Sequence, residues 1–137
     1  MGLNPVPKRQ HILIADDDPV TVQMLSGVLT GGGYDVSVAV DAMQTIMMAM
    51  RKPPHALLLD IGMPGGTGFQ VLERLKANAK TRMIPIIVIT ALTDPALEAR
   101  VRALGAKEFF KKPVAPTQLL PALERVIESF DEEEAES

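Results

Sequence analysis

Five short apolar segments punctuate the chain: His11–Ala15, Tyr34–Val40, Ala56–Leu59, Pro85–Ile89 and Glu108–Phe110. In Ile12-Leu13-Ile14, Leu57-Leu58-Leu59 and Ile86-Ile87-Val88-Ile89 the apolar positions are continuous rather than alternating. Successive side chains of a strand point to opposite faces, so a continuous run predicts a strand buried on both faces, as in parallel sheets. Between the strands lie stretches of helical period. Leu97, Val101 and Leu104 recur at i, i+4, i+7; Met43, Met47 and Met50 do the same in a second segment. The spacing predicts that each set packs into the core, the methionines as adaptable filler.

Start and stop signals agree with this division. Asp18-Pro19 and Asp94-Pro95 each offer a carboxylate for the first free N–H groups and a proline for the first helical position. Gly31-Gly32-Gly33, Gly105 and Pro53-Pro54 predict helix ends. Pro121 conflicts with a final helix starting near Pro116 or Thr117; its missing N–H predicts a late start or a disturbed first turn. The order is β-α five times over, with roughly 22–29 residues from strand to strand, which implies right-handed crossovers and helices on both faces of one parallel sheet.

Length and composition fit that reading. A chain of 137 residues holds one domain, and 47% hydrophobic with 23% charged residues is ordinary for a globular fold. With no cysteine, a disulfide framework, a thiolate metal site and a Cys nucleophile are excluded. No apolar run approaches the roughly 18–20 residues of a membrane span. Met1–Gln10 has no apolar stretch, so neither a signal peptide nor membrane attachment is expected, and a soluble cytoplasmic protein is. Four Phe, one Tyr and no Trp speak against a stacking platform for single strands of nucleic acid. The net charge of −3 hides a division: five of the 17 acids lie in residues 131–137, whereas residues 1–130 carry 14 bases and 12 acids. The expected organisation is an N-terminal extension (1–10), one domain (11–130) and a disordered acidic tail (131–137).

The polar residues at the strand ends carry the chemistry. In an open parallel sheet, function gathers at the carboxyl ends of the strands. The first strand ends in Asp16-Asp17-Asp18, the third in Asp60 and the fourth in Thr90, and the fifth is followed by Lys112-Pro113. Were strands one, three, four and five neighbours, acids, a hydroxyl and an amine would converge. Two carboxylates ~4 Å apart repel by ~4 kcal/mol at an effective dielectric of ~20, so the cluster needs a proton or a cation. Hard oxygen ligands favour Mg²⁺. Thr90 and Lys112 would then serve a second anionic group, as in phosphoryl transfer. Taken singly, each acid could be a helix cap and Lys112 a simple ion-pair partner.

The set resembles the CheY-like receiver domain of two-component response regulators. The resemblance runs from His11 to about Phe130 and rests on Ile-Leu-Ile-Ala-Asp16-Asp17-Asp18-Pro, Leu-Leu-Leu-Asp60-Ile-Gly-Met63-Pro64 with Gly68 after it, Ile-Thr90-Ala91 and Phe109-Phe-Lys-Lys112-Pro113. It implies a flavodoxin-like (βα)5 fold, a doubly wound five-stranded parallel sheet in the order 2-1-3-4-5. It implies that Asp60 is the phosphoacceptor, attacking a phosphohistidine on a histidine kinase or a histidine phosphotransfer protein. Asp17, Asp60 and the backbone carbonyl of Gly62 would bind Mg²⁺ directly and Asp16 through a water. Thr90 and Lys112 would hold phosphoryl oxygens, helped by N–H groups near Gly62, Met63 and Ala91. Asp18 is read as a helix cap, Lys111 as solvated, and the Lys112–Pro113 bond as cis. Phe109 falls at the switch aromatic, paired with Thr90, or is simply a core residue of the fifth strand.

The resemblance further implies a protein that catalyses its own phosphorylation and dephosphorylation rather than turning over an external substrate. Output would reach a downstream protein or a second copy through the fourth helix, fifth strand and fifth helix (around Leu97–Leu104, Phe109 and Leu119–Ile127). No nucleic-acid contact through this chain is expected, since only an acidic run follows Phe130 and no output domain is read there. Gly62 stands where the family often has a larger polar or charged residue, and Leu92, two after Thr90, is apolar; these two positions are expected to set the lifetime of the acyl phosphate. Thr67 stands where the family has an acid and should cap the third helix, after a permissive loop. A haloacid-dehalogenase-type phosphatase, with Asp16 as nucleophile and Asp18 as general acid, is the enzyme alternative. It leaves Asp60-x-Met-Pro unexplained and lacks a further acidic pair after Lys112. A receiver that only binds is the other alternative.

Overall fold

The computed structural model describes residues 9–65 and 67–136, with side chains as far as Ser129. Residues 1–8 of the expected N-terminal extension, Gly66 in the expected permissive loop, and Ser137 lie outside the described residues. Strands β1 (His11–Ala15), β2 (Asp35–Ala39), β3 (Ala56–Leu59), β4 (Ile86–Thr90) and β5 (Glu108–Lys111) alternate with helices α1 (Pro19–Gly31), α2 (Ala42–Arg51), α3 (Gly68–Ala77), α4 (Leu97–Ala103) and α5 (Pro116–Glu136). The strands form one parallel sheet in the order β2-β1-β3-β4-β5. This is the doubly wound, flavodoxin-like arrangement.

The continuous apolar runs divide between two cores. Leu13, Leu57, Leu59, Ile86 and Val88 join Ala42 and Ala49 of α2, Val71, Leu72 and Leu75 of α3, and Leu97 and Val101 of α4. Their neighbours Ile12, Ile14, Leu58, Ile87 and Ile89 join Leu25 and Leu29 of α1 and Leu119, Leu123, Val126 and Ile127 of α5. Alternation along each strand thus feeds both faces, and each buried Leu or Ile contributes about 1.5–3 kcal/mol.

Most local signals act as their chemistry dictates. Asp18 caps α1 through the Val20 and Thr21 N–H groups, Gly32 closes it, and Gly33 takes a positive φ of 92°. Thr67 caps α3 in a reciprocal box with Gln70, so a hydroxyl replaces the acid without loss of the cap. At the Asp94-Pro95 signal the structure differs. The Asp94 carboxylate accepts from the Ala96 N–H at 2.9 Å and caps a turn, and α4 starts only at Leu97 with no side-chain cap.

Three further expectations are corrected. Met43 and Met47 are 54% and 50% exposed, and Met50 is half-buried. The buried face of α2 is instead Ala42, Thr45 and Ala49. Asp41, the N-cap, sets the helix phase, and small residues let the helix lie close to the sheet. Pro121 neither delays nor breaks α5, which begins at Pro116 and runs through it. It follows the first turn, so only the bond to the Thr117 carbonyl is forfeited. The run 131–136 is helical rather than a disordered tail. Glutamate is a good helix former, and extending a helix already anchored by packing is cheap.

Candidate active site

Strand pairing itself assembles the site. The Asp60 N–H donates to the Ala15 carbonyl at 2.9 Å, and the Asp16 N–H to the Ala39 carbonyl at 3.0 Å. Both acids therefore leave the same edge of the sheet as the last rungs of their strands. One strand further, the Lys112 N–H donates to the Thr90 carbonyl at 2.9 Å. Asp16, Asp60 and Thr90 are 2%, 8% and 0% exposed, whereas Asp17 is exposed. The Lys112–Pro113 bond is cis.

One carboxylate oxygen each from Asp16, Asp17 and Asp60 lies within 4.8 Å of the others. The Lys112 Nζ sits 2.7 Å from Asp16 Oδ2 and 3.1 Å from Asp60 Oδ2. The other Asp60 oxygen accepts from the Gly62 N–H at 3.0 Å. Burial pushes the Asp16 carboxyl above the ordinary carboxylate range, against the pull of hydrogen bonds from Lys112 and from the Asp18 N–H. Burial also disfavours the Lys112 ammonium, but its hydrogen bonds to Asp16 and Asp60, with their charges, outweigh that and raise its pKa.

Three carboxylate groups against one ammonium leave an excess of formal negative charge in a recess where Asp16 and Asp60 are buried. A hard dication fits that excess, and the donors are all oxygens. Asp17 supplies the open side, because its carboxylate alone of the three faces solvent. The residues therefore suit Mg²⁺.

Asp18 stands apart from the cluster. Its carboxylate accepts from the Thr21 hydroxyl at 2.6 Å and from the Val20 and Thr21 N–H groups. The Thr21 hydroxyl bond, ahead of those from the backbone, holds its pKa below the usual range. Asp18 is thus committed to capping α1, which leaves the dehalogenase-type reading without its general acid. Thr21 escaped the sequence reading, although an acid followed three residues later by Thr at a helix start was the available signal. Lys111 closes β5 and is exposed. Phe109 is half-buried against the α2–α4 core, opposite Val88 of β4.

Two departures from the family pattern sit where they can act. A Cβ added at Gly62 would lie 3.6 Å from Asp60 Oδ1 and 4.0 Å from the Leu92 side chain. The Leu92 N–H donates to the Thr90 hydroxyl at 3.3 Å. Positions 62 and 92 therefore flank the mouth of the site together.

A sequence model described as "Response regulator receiver domain" matches residues 12–124. The chain is 38% identical over 109 residues to the response regulator PleD of Caulobacter vibrioides, covering 80% of this chain and 24% of that protein. It is 34% identical over 128 residues to the DNA-binding response regulator MtrA of Mycolicibacterium smegmatis, covering 93% of this chain and 55% of that one. The chain thus spans between a quarter and a little over half of these relatives. Among solved structures it is similar to the receiver domain of the sensor histidine kinase PA1611 from Pseudomonas aeruginosa PAO1, which has a magnesium ion coordinated in its active-site cleft. The TM-score there is 0.82 at 27% identity, covering 88% of this chain and 99% of that one.

Proposed function

The chain belongs to the response regulator receiver domain family, and from that premise we propose that it takes a phosphoryl group onto Asp60 and passes the signal on by a change of surface. The observation that supports this best is the recess itself: Asp60 lies within 4.8 Å of two further carboxylate groups and is held by Lys112 at 3.1 Å. In the step proposed, an Asp60 carboxylate oxygen attacks the phosphorus of a phosphohistidine. The P–O bond forms as the P–N bond breaks, its electron pair returns to the imidazole, and that ring takes up a proton.

Lys112 would leave Asp16 and Asp60 for the incoming phosphoryl oxygens, where its charge offsets theirs. Asp17, Asp60 and the Gly62 carbonyl would hold Mg²⁺ directly and Asp16 through a water. When bound, the cation supplies charge neutralisation for the transferred group. The Gly62 N–H, already aimed at Asp60, would help orient the carboxylate. The Thr90 hydroxyl would hold a phosphoryl oxygen, and its movement would open space for Phe109, coupling the recess to the surface.

The chain is in this reading a phosphoacceptor that also promotes its own dephosphorylation. The donor would be a histidine kinase or a histidine phosphotransfer protein. Val20 and Met24, 74% and 41% exposed beside a cleft that Lys112 also lines, offer an apolar landing next to the recess. Output would use α4, β5 and α5 to meet a downstream protein or a second copy. Ion pairs from Arg102 to Glu98 and Glu108, and from Arg125 to Glu108, tie those three elements into one face. Among the described residues no helix is long and apolar enough to cross a membrane.

Incubation with acetyl phosphate and Mg²⁺, followed by mass-spectrometric mapping, tests the reading. Phosphate on Asp60, lost with EDTA and in Asp60→Asn, is the expected result. Phosphate on Asp16, or labelling that survives Asp60→Asn, would overturn it.

A further inference from the structure

The edge of the sheet opposite Asp60 carries a second gathering of charged and titratable groups. His11 opens β1, and Asp35 opens β2 directly beside it. Lys52 and His55 come from the connection between α2 and β3, and Arg9 precedes β1. These five residues line a cleft of about 410 Å³. The five residue steps from His11 to Asp16 put it roughly 16 Å from the acidic recess. Both histidines of the chain are in it.

The imidazoles are held in place. The His11 N–H donates to His55 Nδ1 at 2.9 Å, and the His55 N–H donates to the His11 carbonyl at 2.8 Å. With Nδ1 accepting, the His55 proton sits on Nε2, which becomes a donor. His11 Nε2 pairs with the Ser37 hydroxyl at 2.7 Å, and its buried Nδ1 has no partner among the described residues. Lys52 has no ion pair among the described residues. Arg9 reaches Asp35 only at 4.0 Å, with both side chains more than half exposed, a contact easily exchanged. Two permanent cations against one acid leave the cleft positive while both imidazoles are neutral. Burial, then Lys52 and His55, hold the His11 pKa below its ordinary value against Asp35.

We propose that this cleft binds a small oxyanion of the phosphate class, held by Lys52, Arg9 and the His55 Nε2–H. Three donors from two separate segments suit an anion with at least three oxygens, and Arg9 carries the fork that matches two of them. A metal ion is disfavoured. The backbone occupies His55 Nδ1, Ser37 occupies His11 Nε2, and two cations line the cleft.

Because both histidines line the cleft, the imidazole ¹H–¹⁵N spectrum of the full chain reports on it alone. Sodium phosphate, glycerol phosphate and sodium acetate would be titrated at pH 7.5 and constant ionic strength. Saturable shifts at both imidazoles with either phosphate, and not with acetate, are expected; the tighter of the two identifies free phosphate or a phosphomonoester as the source. Lys52→Gln should weaken binding about tenfold, the loss of one charged hydrogen bond. Lys52→Arg should restore most of it, and Asp35→Asn should tighten it. Asp60→Asn should leave the titration unchanged, which separates this cleft from the acidic recess. Shifts that do not saturate, that acetate reproduces, or that persist undiminished in Lys52→Gln would overturn the proposal.

Discussion

Replacing Gly68 with alanine should damage the active site through packing alone. A Cβ there would lie 2.6 Å from the Ile61 Cα and 2.7 Å from its Cδ1, with the Ile61 carbonyl at 3.1 Å. Carbon atoms prefer about 3.5–4.0 Å, so the added methyl intrudes by roughly 1 Å. The nearest atom is backbone, so no rotamer change relieves it. Overpacking of this kind costs about 1–3 kcal/mol, of which better helix propensity returns at most about 1. The strain falls on the residue next to Asp60 and on the Gly68 N–H bond to the Ile61 carbonyl, now 3.3 Å. The control is Gly27→Ala in the exposed middle of α1, where an added Cβ meets nothing within 4 Å. That variant should gain about 0.5–1 kcal/mol. Urea denaturation reads both signs: with m of about 1–3 kcal/mol/M, a loss near 2 kcal/mol lowers the midpoint by about 1 M. Acetyl phosphate labelling of Asp60 should slow in Gly68→Ala and not in Gly27→Ala. A Gly68→Ala chain as stable as the parent, labelling at the parent rate, would refute the reasoning.

Gly62→Asn and Leu92→Glu should each still be labelled at Asp60 but change the decay rate of the aspartyl phosphate, because both new side chains enter the mouth beside Asp60 Oδ1; unchanged decay in both would remove these positions from the chemistry. Asp18 has a lowered pKa, so its contribution is present above its unfolded value of 3.8 and lost as pH falls through the folded one. Asp18→Asn keeps a capping oxygen but cannot titrate, so its Tm should fall less steeply than the parent's between pH 5 and 2; parallel curves would contradict this. Met43→Gln should stay within about 0.5 kcal/mol of the parent in denaturation, whereas Ala49→Leu, at a fully buried position, should lose about 1–3 kcal/mol. The reverse order would restore the methionines to the core.

The alternation of five strands and five helices was legible in the sequence because it rests on local rules. Continuous apolar runs mark strands buried on both faces, and carboxylates, prolines and glycines act on the N–H and C=O groups within a turn of themselves. The strand-end acids, Thr90 and Lys112 were legible too, because strand ends are where an open sheet exposes polar groups. The α2 methionines were misread because a periodicity defines a stripe but not which neighbour covers it. Met43 and Met47 satisfy the spacing as well as Ala42 and Ala49 do. Only the distance from α2 to the sheet, which small side chains allow to be short, selects the latter. The double engagement of Lys112 with Asp16 and Asp60 joins residues from separate strands, and the basic cleft joins His11 to His55 across 44 positions. Such contacts depend on strand order and register, which arise when whole elements compete for burial. No local pattern encodes them, so the chemistry was written in the sequence, but its distances were decided by the tertiary fold.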